Sequence, residues 1–180
     1  AVSEVPRYYV CNAYGVCGIY SAPGTAVKEA YDTSGIVTND RGVTVWLKGN
    51  RVSRNQIMAI KEESVTEQKN SLAVCLDNIL RHAGITRNTE YDLAQGKTAT
   101  TILSENMTGV QVLDLSGCTL DAVLYYVNQD IPVLAILEDG EAVLVTGFNE
   151  FNVVIMEPAT GKLYKKGMND ATAWFAENGN

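Results

Sequence analysis

Several residue types that build familiar functional sites are scarce in this sequence. A single histidine, His82, and four cysteines without a Cys-x-x-Cys pair occur among the 180 residues. A structural zinc site needs about four converging ligands. We therefore expect no metal site, and we expect no other cofactor.

Positive charge is also scarce. The chain has 14 Lys and Arg residues against 21 Asp and Glu residues, which gives a net charge of -7. Nucleic acids and anionic membranes attract clustered basic residues, and the sequence contains no basic block. We expect neither of them as a partner.

Long apolar runs are missing as well. No run approaches the roughly 20 residues that a spanning helix requires, so we expect no membrane insertion. The sequence begins at Ala1 without an initiator methionine or a signal-peptide pattern, which favours an excised or processed piece of a longer protein. Hydrophobic residues still make up 46% of the chain, enough for one real core and a small appendage.

The first third of the chain is rich in residues that favour β-structure. Short apolar runs between turn signals predict strands, and Ser21-Ala22-Pro23 predicts the start of a helix. We interpret residues 1–62 as a small N-terminal α/β appendage. Cys11 and Cys17 flank a predicted hairpin loop, which could bring them close enough for a disulfide.

Residues 63–180 predict a second domain, which opens with a buried helix. Apolar residues repeat there at helical spacing, Asn70 or Ser71 suits the N-cap, and Gly84 is placed to end the helix. After two short polar helices we predict a strand over Val110–Leu115 and a helix over Thr119–Asn128. An antiparallel meander and a final helix capped by Asn169-Asp170 complete an α+β domain.

Four segments of this second domain resemble the bacteriocin-processing peptidases that remove double-glycine leaders. Those cysteine peptidases carry Cys-Gly-Pro at the start of a helix, Pro-Val before a strand, a His-Ala-Val strand and an Asp-Pro step. The resemblance covers about residues 68–180. The matching segments here are Ser71 to Gly84, Asp130-Ile131-Pro132-Val133-Leu134, Glu141 to Phe148, and Glu157-Pro158.

The resemblance implies a papain-like cysteine peptidase fold, in which a buried helix packs on an antiparallel sheet. It implies that Ser71 stands at the position of the nucleophile, Glu141 at that of the histidine and Glu157 at that of the acid that orients the histidine. Gln68 is a candidate remnant of the family's oxyanion glutamine. We also expect Glu141 and Glu157 to approach one another.

These replacements predict that the site has no catalytic residue. A serine hydroxyl ionises too weakly to attack without an adjacent base, and an exposed carboxylate such as Glu141 has a pKa near 4.3. Ser71 is interpreted as a helix cap. His82, in the last turn of the same helix, is expected to interact with the helix dipole.

Cys75 is the alternative nucleophile. It lies one turn into the apolar helix, where its sulfur is expected to face the core and to behave as a small hydrophobe. His82 follows seven residues later, about 10 Å along the helix axis, too far to form a dyad with Cys75. Cys118 is interpreted as structural.

We therefore expect a pseudo-peptidase: a catalytically inactive, papain-like domain of a bacterial envelope or secreted protein. Its role would be structural, or it would bind an extended peptide or another domain of its parent protein. The alternative is an active cysteine peptidase, or a related thiol hydrolase, that uses Cys75. An extracellular or cell-envelope location is expected in either case.

Overall fold

The computed structural model describes residues 5–47, 58, 60 and 62–178. These residues form a mixed α+β structure with two antiparallel sheets and six helices. None of those helices has the length and apolar character needed to cross a membrane. Residues 1–4 and 48–57, which belong to the predicted appendage, lie outside the described residues.

The first sheet is built from the predicted N-terminal strands and has the order β2-β1-β3-β4. Its elements are β1 (Tyr8–Cys11), β2 (Cys17–Tyr20), α1 (Pro23–Thr33), β3 (Ile36–Asn39) and β4 (Thr44–Leu47). Cys11 and Cys17 are directly opposite in the β1–β2 register and form a disulfide.

The second sheet has the order β5-β6-β7-β8 and is the predicted antiparallel meander. Its elements and the preceding helices are α2 (Ser71–His82), α3 (Glu90–Ala94), α4 (Ala99–Asn106), α5 (Leu120–Asn128), β5 (Val133–Ile136), β6 (Ala142–Phe148), β7 (Asn152–Glu157), β8 (Lys162–Gly167) and α6 (Met168–Glu177).

Helix α2 is the predicted buried helix. The Asn70 side chain accepts a hydrogen bond from the Ala73 amide at 2.9 Å, so Asn70, not Ser71, is the N-cap. At the other end, Gly84 takes a positive φ of 83°, a conformation that favours glycine and ends the helix as predicted. Between these ends α2 packs on β6, a strand whose seven residues are all buried.

Two local predictions differ from the structure. Residues 110–115 do not form a strand, although their side chains favour one, because this segment pairs with no neighbouring strand in the described structure. Helix α6 begins at Met168 with Gly167 at the N-cap, instead of being capped by Asn169-Asp170. The N-cap of α5 is Thr119, whose hydroxyl accepts from the Ala122 amide.

The two sheets share one hydrophobic core. Trp46 of β4 donates its indole N–H to the Ala122 carbonyl of α5 at 2.9 Å, and Tyr126 donates its hydroxyl to the Val45 carbonyl at 2.9 Å. The buried thiol of Cys118 contacts the Gly24 carbonyl of α1 at 3.3 Å. Residues 1–62 were expected to be a separate appendage. These contacts show that the described part of this segment is joined to the rest of the chain by buried hydrogen bonds as well as by apolar packing.

Candidate functional site

The first residue of α2 lies against the first residue of β6. Ser71 is only 3% exposed, and its Oγ accepts a hydrogen bond from the Ala142 amide at 2.8 Å. The role of helix cap belongs to Asn70, so the interpretation of Ser71 as a cap is wrong. The Ser71 hydroxyl instead satisfies a backbone donor at the start of a buried strand.

Glu141 precedes Ala142, so the predicted nucleophile and histidine positions are neighbours across this contact. The Glu141 side chain is exposed. Its backbone is held by the β5–β6 turn, because the Glu141 amide donates to Asp139 Oδ1 at 2.9 Å and its carbonyl accepts from the Leu137 amide at 2.7 Å. The described contacts give the Ser71 hydroxyl a backbone partner and no basic side chain.

Cys75 lies deeper in the same helix. Its side chain is fully buried, and burial, followed by the negative charge of Glu141, raises the pKa of the thiol well above its usual range. A thiolate is the reactive form of cysteine, and this environment disfavours it. Cys118 is also buried, and burial raises the pKa of its thiol to about 11.

His82 is the last residue of α2 and connects that helix to the turn after α5. Its Nε2 lies 3.1 Å from the Asp130 carbonyl oxygen and 3.7 Å from Asp130 Oδ2. Ser71 and His82 stand at opposite ends of the helix, about 16 Å apart along its axis. The imidazole therefore cannot take a proton from the Ser71 hydroxyl.

Glu157 ends β7 and interacts with the neighbouring strand. Burial, followed by the negative charge of the Glu157 carboxylate, raises the pKa of Tyr164 to about 12. Extending the β6–β7 register beyond the Leu144–Met156 pair sets Glu157 diagonally across from Glu141 on the same face. An approach of the two carboxylates stays a prediction.

Gln68 lies in the turn before α2. Its backbone amide donates to Thr66 Oγ1 at 3.3 Å, and its side chain is exposed. No described contact joins its amide group to Ser71, and its role as an oxyanion remnant stays a prediction.

A buried polar cluster around Asp77 of α2 was not predicted from the sequence. Asp77 is 2% exposed; its Oδ1 accepts from the Thr89 amide at 2.8 Å and from the Thr89 hydroxyl at 2.7 Å. Its Oδ2 accepts from Lys69 Nζ at 2.7 Å, and this hydrogen bond raises the pKa of Lys69. The cluster holds the segment before Ser71 against the helix.

The sequence carried one signal for this cluster. Asp77 and Asn78 stand on the polar side of an otherwise apolar helix, where solvent exposure would be the usual expectation. Asn78 is instead buried beneath Glu63, to which its amide donates at 3.1 Å. Only the path of residues 63–69 across the helix explains why these polar residues are buried.

The arrangement favours structural hydrogen bonding over catalysis. A serine nucleophile needs an adjacent base, and the described partner of Ser71 is a backbone donor. Within the described residues, no three His, Cys, Asp or Glu side chains group closely enough to hold a metal ion.

Comparison of the chain with protein-family models, with curated proteins and with solved structures found no match.

Proposed function

We propose that this chain is a catalytically inactive, papain-like domain that binds a peptide or protein partner or serves as a structural module. One observation carries the proposal: the Ser71 hydroxyl is buried and already accepts a hydrogen bond from the Ala142 amide. A hydroxyl in this setting lacks both access to a substrate and a base to activate it.

The order of the elements supports the papain-like assignment. A buried helix comes first, an antiparallel meander follows, and the start of that helix contacts the strand that begins after Glu141. This contact is what the resemblance to bacteriocin-processing peptidases leads us to expect, because nucleophile and histidine face each other in an active relative.

The Cys11–Cys17 disulfide supports the proposed location in a bacterial envelope or outside the cell. Disulfides persist in oxidising compartments and are rare in the cytosol of mesophiles.

Restoring the two missing groups tests the papain-like assignment. We expect the double variant Ser71→Cys with Glu141→His to hold a thiolate at residue 71 near neutral pH, because an imidazole beside the helix N-terminus stabilises the thiolate. The ultraviolet absorbance of the thiolate measures this and needs no reagent to reach the buried position. The single variant Ser71→Cys is the matched control and should form its thiolate only at higher pH. The same thiolate titration in both folded variants would show that residues 71 and 141 do not correspond to a catalytic dyad.

The unmodified protein tests the absence of catalysis. We expect neither Cys75 nor Cys118 to react with iodoacetamide until the protein is unfolded, because both thiols are buried. Mass spectrometry identifies the labelled residue, and Cys118 serves as the internal reference. Rapid labelling of native Cys75 alone would favour the alternative, a thiol peptidase or hydrolase that uses this residue.

A further inference from the structure

We propose that the open edge of β5 binds an extended peptide segment, apolar in its middle and basic at its ends, which adds a strand to the second sheet. This inference rests on the binding function proposed above, and it gives that function a location and a class of partner.

A cavity of about 550 Å³ lies along the β5 edge, within the range of roughly 300–1,000 Å³ that is typical of ligand sites. Two runs of consecutive residues, 110–116 and 130–137, line it together with residues of α2, α4, α5 and α6. Side chains alternate between the two faces of a strand, so a cavity over one face would touch every second residue. Contact with consecutive residues means that the cavity follows the edge of β5.

The hydrogen-bonding groups of this edge are open. The Leu137 amide donates to the Glu141 carbonyl, so the alternation of an antiparallel pair turns residues 133, 135 and 137 toward β6. The amides and carbonyls of Leu134 and Ile136 then point away from β6, and they have no hydrogen-bond partner among the described residues. An extended backbone offers the matching donors and acceptors, which an apolar small molecule does not.

The opposite wall of the cavity, formed by residues 110–116, also has backbone groups that are open for hydrogen bonding. Residues 110–115 favour a strand by composition but form none. The backbone groups of Val112 and Leu113 make no hydrogen bond within the part of the chain that the structure describes. A peptide between this wall and β5 would therefore meet open backbone groups on both sides.

Apolar side chains surround the mouth of the cavity. Val110 is 57% exposed, Ile131 46% and Ile136 52%, although each is a residue type that is usually buried. Exposed apolar side chains grouped around a cleft are typical of a surface that a partner covers. The middle of the bound segment should accordingly be apolar.

The charges at the cavity favour basic ends on the peptide. Asp114 and Asp130 both line it. Hydrogen bonds from the hydroxyl and amide of Ser116 lower the pKa of Asp114, so this carboxylate stays negative at neutral pH. His82 also lines the cavity and lies beside Asp130. Lysine or arginine near the ends of the segment would complement the two carboxylates.

The test uses the full chain and a displayed library of random heptapeptides. The strongest binder is resynthesised, and its dissociation constant is measured for the unmodified protein, for Ile136→Pro and for Ile136→Val. Proline removes the outward amide of residue 136, and edge strands tolerate it where that amide is unpaired. Valine shortens the side chain and keeps the amide.

We expect Ile136→Pro to weaken binding by about two- to tenfold and Ile136→Val to change it little, since one net hydrogen bond is lost only with proline. Methylation of alternate amide nitrogens in the peptide should cause a comparable loss without any change in the protein. In hydrogen exchange, the amides of Leu134 and Ile136 should exchange quickly in the free protein and slowly in the complex.

Three results would overturn the inference: no peptide enriched by the library, binding unaffected by both Ile136→Pro and amide methylation, or amides at residues 134 and 136 already protected in the free protein. Peptide binding lost in Glu141→Arg but kept in Ile136→Pro would also overturn it while leaving the proposed function intact. Cleavage of a peptide bound at the β5 edge would support the inference and contradict the proposed lack of catalysis.

Discussion

Ser71 is better explained by the hydrogen bond it accepts than by the reaction its position suggests. Replacing it with alanine should lower the free energy of unfolding by about 1–3 kcal/mol, because the buried Ala142 amide would lose its acceptor. Urea unfolding measures the change. Ser104→Ala, at an exposed position of α4, is the matched control and should be close to neutral. Equal stability of the two variants would contradict this role for Ser71.

At the scale of the element, α2 depends on a buried carboxylate as well as on apolar packing. Asp77→Ala should lower the free energy of unfolding by about 3 kcal/mol, because Lys69 and two donor groups of Thr89 lose their shared acceptor. Asp77→Asn keeps an oxygen that can accept from Thr89 and should cost less. Urea unfolding compares the two variants, and a similar loss from both would mean that the negative charge, not the hydrogen bonds to Thr89, stabilises the helix.

At the scale of the whole molecule, the shared core predicts that the described part of residues 1–62 unfolds together with the second sheet. Trp46 and Trp174 lie on opposite sides of the predicted domain boundary, in β4 and α6. The variants Trp46→Phe and Trp174→Phe each leave one fluorescent reporter. For each variant, the urea midpoint from fluorescence should coincide with that from circular dichroism, as in a two-state transition. Separate midpoints would indicate two independent domains.

Alkaline pH should destabilise the whole molecule. Burial raises the pKa of Cys75 above its unfolded value of about 8.5, so its contribution to stability is complete below that pH and decreases as pH rises. The loss should be about 1.4 kcal/mol per pH unit for each of Cys75 and Cys118 while only the unfolded thiols ionise, because burial raises the pKa of both. Urea unfolding at several pH values between 7 and 10 measures the slope.

The matched control for this slope is Cys75→Ala, which should be less stable at neutral pH but should depend less on pH above 8.5. An identical slope in the variant and the unmodified protein would show that Cys75 is not the group responsible.

The sequence alone determined the main elements. Apolar spacing and the closing Gly84 predicted α2, and alternating apolar strands between turn residues predicted the antiparallel meander from β5 to β8. These features depend on local conformational preference and hydrophobic periodicity, which neighbouring residues fix. The wrongly predicted strand at 110–115 shows the limit, since a strand also needs a partner that is distant in the sequence.

Only the tertiary structure decided what the polar residues do. The partners of Ser71 and Asp77, the Ala142 amide and the Thr89 backbone and side chain, lie 71 and 12 residues away in the sequence. The open edge of β5 likewise depends on tertiary structure, because among the described residues only β6 pairs with β5. Hydrogen bonds and cavities depend on the relative positions of whole elements, and no local sequence pattern encodes those positions.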